Sequence, residues 1–305
     1  SGIYAHTIGL PTSIDKNALP TTPTTTVQLA NGNAVTFRNW RSPACGVLVN
    51  NPCFARLLVL QDNVYSSQGS AVYEGGILEI KKRFNTHAAM WLNYTFSKAF
   101  STSTDFNSDF GPQDNTNLGG QPGIPGDRGL SDFDQRHKLT IFALLSSPWK
   151  GGSGAAFAER IFSGFELTPV VSFNTGHPFN LLAGTDVNGD RHSTNDRPIG
   201  VGHNTGVGPD YVSVDMRITR KFRLGSEGKS DLAVMVEGFN IFNQINYASV
   251  NNTVDPNFLL PTTAGGLGNM TANVHGSAII PPNQPLGFTS VYPPRQVQLG
   301  LRLTF

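Results

Sequence analysis

Charge is scarce in this chain. Asp, Glu, Lys and Arg make up 14% of its 305 residues, where an ordinary soluble domain carries about a quarter. The net charge of +1 gives no basic footprint, so nucleic acid is not expected as a partner. Long apolar runs are missing as well. The longest, LTIFALL at Leu139–Leu145, falls far short of the roughly 20 residues that a helical membrane span needs. Helical spans are therefore excluded. Amphipathic helices are also absent, because no long window repeats apolar residues at i, i+3, i+4 and i+7. Cysteine is nearly absent. Cys45 and Cys53 are the only two, close together in PACGVLVNNPC. With no further Cys and no His nearby, zinc is not expected. The favoured reading is a disulfide closing a small loop in an oxidising compartment, with two unrelated thiols as the bland alternative.

What the chain does have is alternation. In HAAMWLNYTFS, Ala88, Met90, Leu92, Tyr94 and Phe96 share one face while Trp91, Asn93, Thr95 and Ser97 share the other. In YVSVDMRIT, Val212, Val214, Met216 and Ile218 stand against Ser213, Asp215, Arg217 and Thr219. Phe165, Leu167, Val171 and Phe173 oppose Glu166, Thr168, Ser172 and Asn174, with Pro169 on the apolar side as an expected bulge or interruption. The period of two predicts about eight strands, over 1–10, 71–84, 87–98, 137–147, 163–175, 211–223, 231–243 and 295–305. A further short strand at 55–62 would belong to a long loop. Residues 231–243 lose phase near GFNIFN, and 137–147 are apolar on both faces at Phe142 and Leu144.

The connections alternate in length. Asn85–Thr86, 148–162 and 224–230 are short to moderate, whereas 11–70, 99–136, 176–210 and 244–294 are long. Compact soluble domains rarely carry several structureless loops above about 15 residues. Outer-membrane barrels do, with short periplasmic turns and long extracellular loops. If Phe305 lies at the periplasmic end, every long loop falls outside, together with Cys45 and Cys53. Gly 33 and Pro 20 suit such turns and loops. A soluble β-sandwich would also alternate. Against it stand Glu166, Asn174, Asp215 and Arg217 in mid-strand on the polar faces, as a wet lumen requires. The fold class expected is all-β: an antiparallel transmembrane β-barrel segment.

Six segments occur in order: GGILEIKKRF, MWLNYTFSKAF, DRGLSDFDQRHKL, NDRP, VEGFNIFNQINY and PPRQVQLGLRLTF. Together, over roughly residues 71–305, they resemble the C-terminal part of the β-barrel of TonB-dependent receptors, in particular the Oar-like branch. The resemblance implies a barrel of about 22 strands, a plug domain within it, and a plug-borne segment that contacts TonB and draws energy for uptake of an extracellular ligand. No plug and no TonB-contact segment is legible here. The expectation is thus a barrel segment in the outer membrane of a Gram-negative bacterium. Its expected partners are outer-membrane lipid, barrel-assembly machinery and an extracellular ligand, with TonB engaged only through a plug. A terminal aromatic on an alternating strand, Phe305, resembles the signal that such machinery reads. The rival readings are a self-contained small barrel acting as adhesin or structural protein, and a secreted β-rich surface or filament subunit.

One segment suggests metal chemistry. In GTDVNGDRHSTND, Asp186, Asn188 and Asp190 stand at i, i+2 and i+4 around Gly189. Hard oxygen ligands so spaced wrap Ca²⁺ in the first half of an EF-hand-type loop, and Asn195 or Asp196 would complete the shell. No Glu occupies the twelfth position, and an Asx-rich turn capped by its own side chains is the competing reading. DRGLSDFDQRHK groups Asp127, Arg128, Ser131, Asp132, Asp134, Arg136, His137 and Lys138. No Gly-x-Ser-x-Gly nucleophile elbow exists, so the cluster reads as ion pairs holding loop 99–136 down. No enzyme is expected, and no cofactor beyond possible Ca²⁺. Lys81, Lys82 and Arg83 read as a solvated turn against lipid phosphates. Trp91, Tyr94, Phe96, Phe100, Phe239, Phe242, Tyr247 and Phe305 read as aromatic girdles.

Overall fold

The computed structural model describes residues 1–15, 17, 19, 23–46, 52–59, 62–102, 128–149, 154, 156–191, 193, 196–224 and 230–305. In chain order the strands are β1 (Gly2–Asp15), β2 (Thr24–Gln28), β3 (Ala34–Arg38), β4 (Asn63–Arg83), β5 (Ala88–Ser101), β6 (Gly129–Leu130), β7 (His137–Ser146) and β8 (Phe165–Asn174). There follow β9 (Pro178–Phe179), β10 (Gly206–Val207), β11 (Tyr211–Leu224), β12 (Ser230–Phe239), β13 (Tyr247–Val250), β14 (Val274–His275), β15 (Phe288–Val291) and β16 (Gln296–Thr304). One short helix, α1 (Phe157–Phe162), interrupts them. Among the described residues no helix is long and apolar enough to cross a membrane.

Eight long strands form one antiparallel wall in the order β1-β4-β5-β7-β8-β11-β12-β16. Each pairs with its neighbour along the wall, so the long connections all emerge at one end and the short ones at the other. Register partners share a face, so the ladders decide what each face presents. One row runs Leu299, Val236, Ile218, Leu167, Leu145, Ala88 across six strands. A second runs Val214, Val171, Ile141, Leu92, Ile80. The opposite face carries the row Ser213, Ser172, Thr140, Asn93, Glu79. There Arg217 pairs with Glu237 and Lys221 with Glu166.

The apolar face is bare. Leu299 and Leu301 are 81% and 75% exposed, and Leu78, Ile80, Ile218 and Val236 are exposed too. Among the described residues only Ala99 of the buried hydrophobics lies in a wall strand. Eight strands about 4.8 Å apart and some nine residues tall make a sheet face on the order of 1,000 Å². Monomeric soluble proteins rarely expose contiguous apolar patches beyond a few hundred Å². Arg220 shares this face but lies near its short-connection end. Its guanidinium covers the Phe165 and Phe222 rings and donates to the Arg160 carbonyl, so the charge is drawn toward the rim.

The predicted strands lie where the alternation put them, with four differences. β1 and β4 run on, pairing as far as Asp15 with Asn63, so parts of 11–70 are strand rather than loop. The short strand expected at 55–62 does not form over the described residues 55–59, which are turn, bend and coil; residues 60 and 61 lie outside the described residues. β12 stops at Phe239, because Asn240 and Asn243 adopt positive φ and turn the chain. At Pro169 the β7–β8 ladder lacks pairs between Phe142–Val170 and Leu145–Leu167, yet the register is the same on both sides. The missing N–H of proline opens the ladder there without a bulge. The expected barrel is not closed. β1 pairs only with β4 and β16 only with β12, so the described strands form an open wall with two edges.

Three of the long connections fold, over their described residues, into one body at their end of the wall. Its core holds Leu29, Phe37, Leu181, Val201, Phe258 and Leu259, among others. Backbone bonds tie the connections together: Ala30 N–H donates to Leu259, Ile199 to Pro256, and Leu182 pairs in parallel with Thr253. The protein thus keeps its buried core in its loops and exposes the apolar face of its sheet.

The two faces should respond oppositely to charge. In lipid bilayers, Ile141→Arg on the apolar face is expected to destabilise the wall by about 2–4 kcal/mol, read from urea unfolding in vesicles. Thr140→Arg, one residue away on the polar face, is expected to cost far less. Equal losses would overturn the face assignment.

Candidate functional site

The loop body is where chemistry-bearing residues converge, and the 184–196 turn is its densest point. Gly189 at φ +85° lets the chain reverse, and a Cβ there would meet Arg41 Cγ at 2.4 Å. Asp186, Asp190 and Asp196 come together, each offering a carboxylate oxygen within 4.8 Å of the others. Asp190 and Asp196 are 1% and 0% exposed. Three carboxylates this close repel unless protons or a cation offset them. Asx-type bonds are also present. The Gly189 and Arg191 N–H groups donate to Asp186, that of Val187 to Asp196 Oδ2, and that of Asp190 to Asn188 Oδ1. The side chain of Asn188 is bonded to Asp190 at 3.4 Å. Asn195 lies outside the described residues, as does Asp127 of the charged cluster.

Three residues from the first long connection, or bonded to it, brace this turn, and the motif spacing did not announce them. Trp40 N–H donates to the Asn188 carbonyl. Arg41 donates to the Asp186 carbonyl and stands 3.7 Å from its carboxylate. Arg191 covers the Phe54 ring at 3.9 Å and donates to the Leu57 and Val59 carbonyls. Trp40 and Phe54 pack with Cys45 and Cys53 in a small second core. The structure joins those cysteines in a disulfide, with Cα atoms 5.5 Å apart.

The described members of the charged cluster lie at the wall rim. Asp134 accepts from the Ala99 N–H at 2.6 Å and pairs with Arg136 at 3.3 Å. Ser131 Oγ accepts from the Phe133 N–H, while His137 Nδ1 meets the Tyr94 hydroxyl at 2.7 Å. The serine and the histidine are thus engaged apart. Asp132 is bonded to the Asn204 amide, which also donates to the Leu130 carbonyl. At the opposite end Lys81 pairs with Glu79. Trp91 departs from the girdle expectation: it packs on Phe142 on the polar face, 5.3 Å between centroids. Phe142 is apolar on that face because it meets Trp91. Phe305 follows β16 and is 95% exposed.

The model of one protein family, the outer membrane beta barrel domain, matches residues 5–203, more than half of the chain. The chain belongs to the outer membrane β-barrel domain family. That membership puts the bare apolar face in the outer membrane, against lipid. No curated protein and no solved structure matches. Within this outer-membrane β-barrel domain the match ends before β11, yet β11, β12 and β16 continue the same ladder without a break.

Two side chains order the last long connection, one by bonding the wall and one by closing the turn after β12. The Asn246 side chain accepts from the Val212 N–H and donates to its carbonyl, both at 2.8 Å, like one more strand residue. Asn240 bonds Gln244 in both directions. The motif VEGFNIFNQINY therefore carries its asparagines for backbone pairing.

The disulfide closes a loop with a sequence separation of 8, for which chain entropy gives roughly 2–3 kcal/mol. Cys45→Ser together with Cys53→Ser is expected to lower the stability of the loop body by that order. The check is proteolysis of residues 39–59 under native conditions, with the wall left intact. Unchanged protection would show that the Trp40–Phe54 packing suffices alone.

Proposed function

We propose that this chain is the barrel sector of an outer-membrane receptor or transporter of the TonB-dependent kind in a Gram-negative bacterium, and that its loop body faces outward and binds an extracellular ligand. The observation that carries this reading is the division of the wall: an apolar face open to lipid, a polar face fit for a wet lumen, and a packed body on the long connections only. Lipid offers no hydrogen-bond partners, so the two edges, β1 and β16, must meet further strands. We read those as the rest of a barrel of about 22 strands, with the polar face around a plug. The role is non-catalytic. Assembly machinery and TonB are the partners this reading needs, the second through a plug. The open edges count against a self-contained small barrel. A secreted surface subunit would need another protein to cover the whole apolar face.

Fractionation tests the reading. Full-length protein in its native cells is expected in the outer membrane, extracted only by detergent, and crosslinked to a TonB complex. Recovery in the soluble fraction would sink the membrane claim. Outer-membrane recovery with no TonB crosslink would sink the transport claim alone.

We also propose that the Asp186–Asp196 segment holds Ca²⁺, with Asp186, Asp190 and Asp196 as the carboxylate donors and Asn188 beside them; Asn195, outside the described residues, is a further candidate from the sequence. Extracellular calcium modules bind at about 10⁻⁴–10⁻³ M. Calcium at ten times the dissociation constant would stabilise the loop body by about 1.4 kcal/mol. Millimolar Ca²⁺ is expected to raise the thermal midpoint of the wild type and not that of Asp190→Asn. In the wild type it should also displace Tb³⁺ excited through Trp40. No shift and no Tb³⁺ signal would leave an Asx turn held by its own hydrogen bonds.

A further inference from the structure

A cavity of about 530 Å³ opens between the wall and the loop body, where β8 ends and β11 begins. We propose that it binds a neutral oligosaccharide. The proposal rests on the receptor reading above and names the ligand class for it.

The lining argues the chemistry. Tyr211, Tyr247 and Tyr292 stand around the cavity, with Phe179 beside them. Asn174, Asn252, Gln135 and His177 supply amides and an imidazole. Among the described residues no Lys, Arg, Asp or Glu lines it. An ionic ligand would therefore lose its hydration with no opposite charge to replace it. A sugar ring has an apolar C–H face and a rim of hydroxyls. Tyrosine offers a flat apolar body with a polar end, and amides donate and accept at once. That combination matches a polyhydroxylated neutral ligand on both counts.

The cavity is also built rigidly, so little ordering is left to do on binding. Its floor is two backbone segments in close approach. A Cβ on Gly176 would stand 2.0 Å from the Gly208 carbonyl oxygen. The Gly208 N–H donates to the His177 carbonyl at 2.9 Å, and that of Gly176 to Asp210 Oδ1 at 2.9 Å. Asp210 is exposed and braces the floor through this one oxygen. The rings are held in turn. Asn246 locks the chain before Tyr247 onto the chain after Tyr211, and its carbonyl accepts from the Tyr292 N–H. Tyr211 and Tyr292 then meet edge to face, 5.2 Å between centroids. Tyr247 leans on Phe288 at 4.3 Å. Asn174 Oδ1 sits in the wall, buried, with no hydrogen-bond donor among the described residues. A rotation that offers it to a ligand hydroxyl breaks no existing bond.

Calorimetric titration of the full chain in detergent with maltotetraose, cellotetraose and chitotetraose tests the proposal, with an anionic sialylated oligosaccharide and a neutral peptide as comparators. At least one neutral tetrasaccharide is expected to bind better than either comparator. Tyr211→Ala and Tyr292→Ala are each expected to weaken it at least about tenfold, while Tyr211→Phe keeps most of the affinity. Each variant must keep the wild-type thermal midpoint, which separates loss of stacking from loss of fold. Failure of all three sugars, preference for the anionic sugar or the peptide, or affinity indifferent to both alanine variants would overturn it. Fractionation judges the outer-membrane reading separately. A chain recovered in the outer membrane that binds none of the sugars refutes the ligand class alone.

Discussion

Everything in this structure depends on where backbone hydrogen bonds are made when one face of a sheet has no water. In lipid an unpaired N–H or C=O costs several kcal/mol, so each wall strand must bond its neighbours on both sides. The long ladders satisfy that need across the interior of the wall. They also fix register, and register fixes faces: one residue of slip would turn Leu299, Val236 and Ile218 to the lumen and Gln298, Glu237 and Arg217 to lipid. The edges at β1 and β16 are the only long rows where this bonding is left open among the described residues.

That constraint separates two kinds of burial within one chain. The wall has its solvent supplied by the membrane and keeps almost no internal core. The loop body faces water and builds an ordinary one, from Leu181, Val201, Phe258 and their neighbours. A disulfide and the Asn246 clamp hold this body to itself and to the wall. The cavity lies at the junction, where Tyr211 at the start of a wall strand meets Tyr292 from the last connection. A rigid scaffold that presents binding residues on its connections is the common arrangement for recognition.

The wall was legible because period two is a strong local signal and the apolar face needs no partner from the chain. Met90, Leu92 and Tyr94 announce their face without reference to any distant residue. The turn at Asp186–Asp190 was legible for the same reason: its spacing is local. The residues that brace it were not, because Trp40 and Arg41 reach it from about 150 positions away in sequence. The loop core was missed because its members are scattered singly among Asn, Gly, Thr and Pro. Phe258, Leu259 and Leu260 form a short apolar run with no period to read. Trp91 was misplaced because an aromatic near a strand end suggests a girdle, while its parity put it opposite Phe142 on the polar face.

The sequence by itself determined the alternation, the strand count of the wall, the alternating lengths of its connections, and a proximity of two cysteines that a disulfide could use. These follow from residues within one strand or one turn. Only the tertiary structure decided that the wall stays open, that the long connections pack around a core, and that three tyrosines from separate segments face one cavity. Those depend on contacts between segments far apart in the chain, where the energy lies in register and side-chain fit rather than in local pattern.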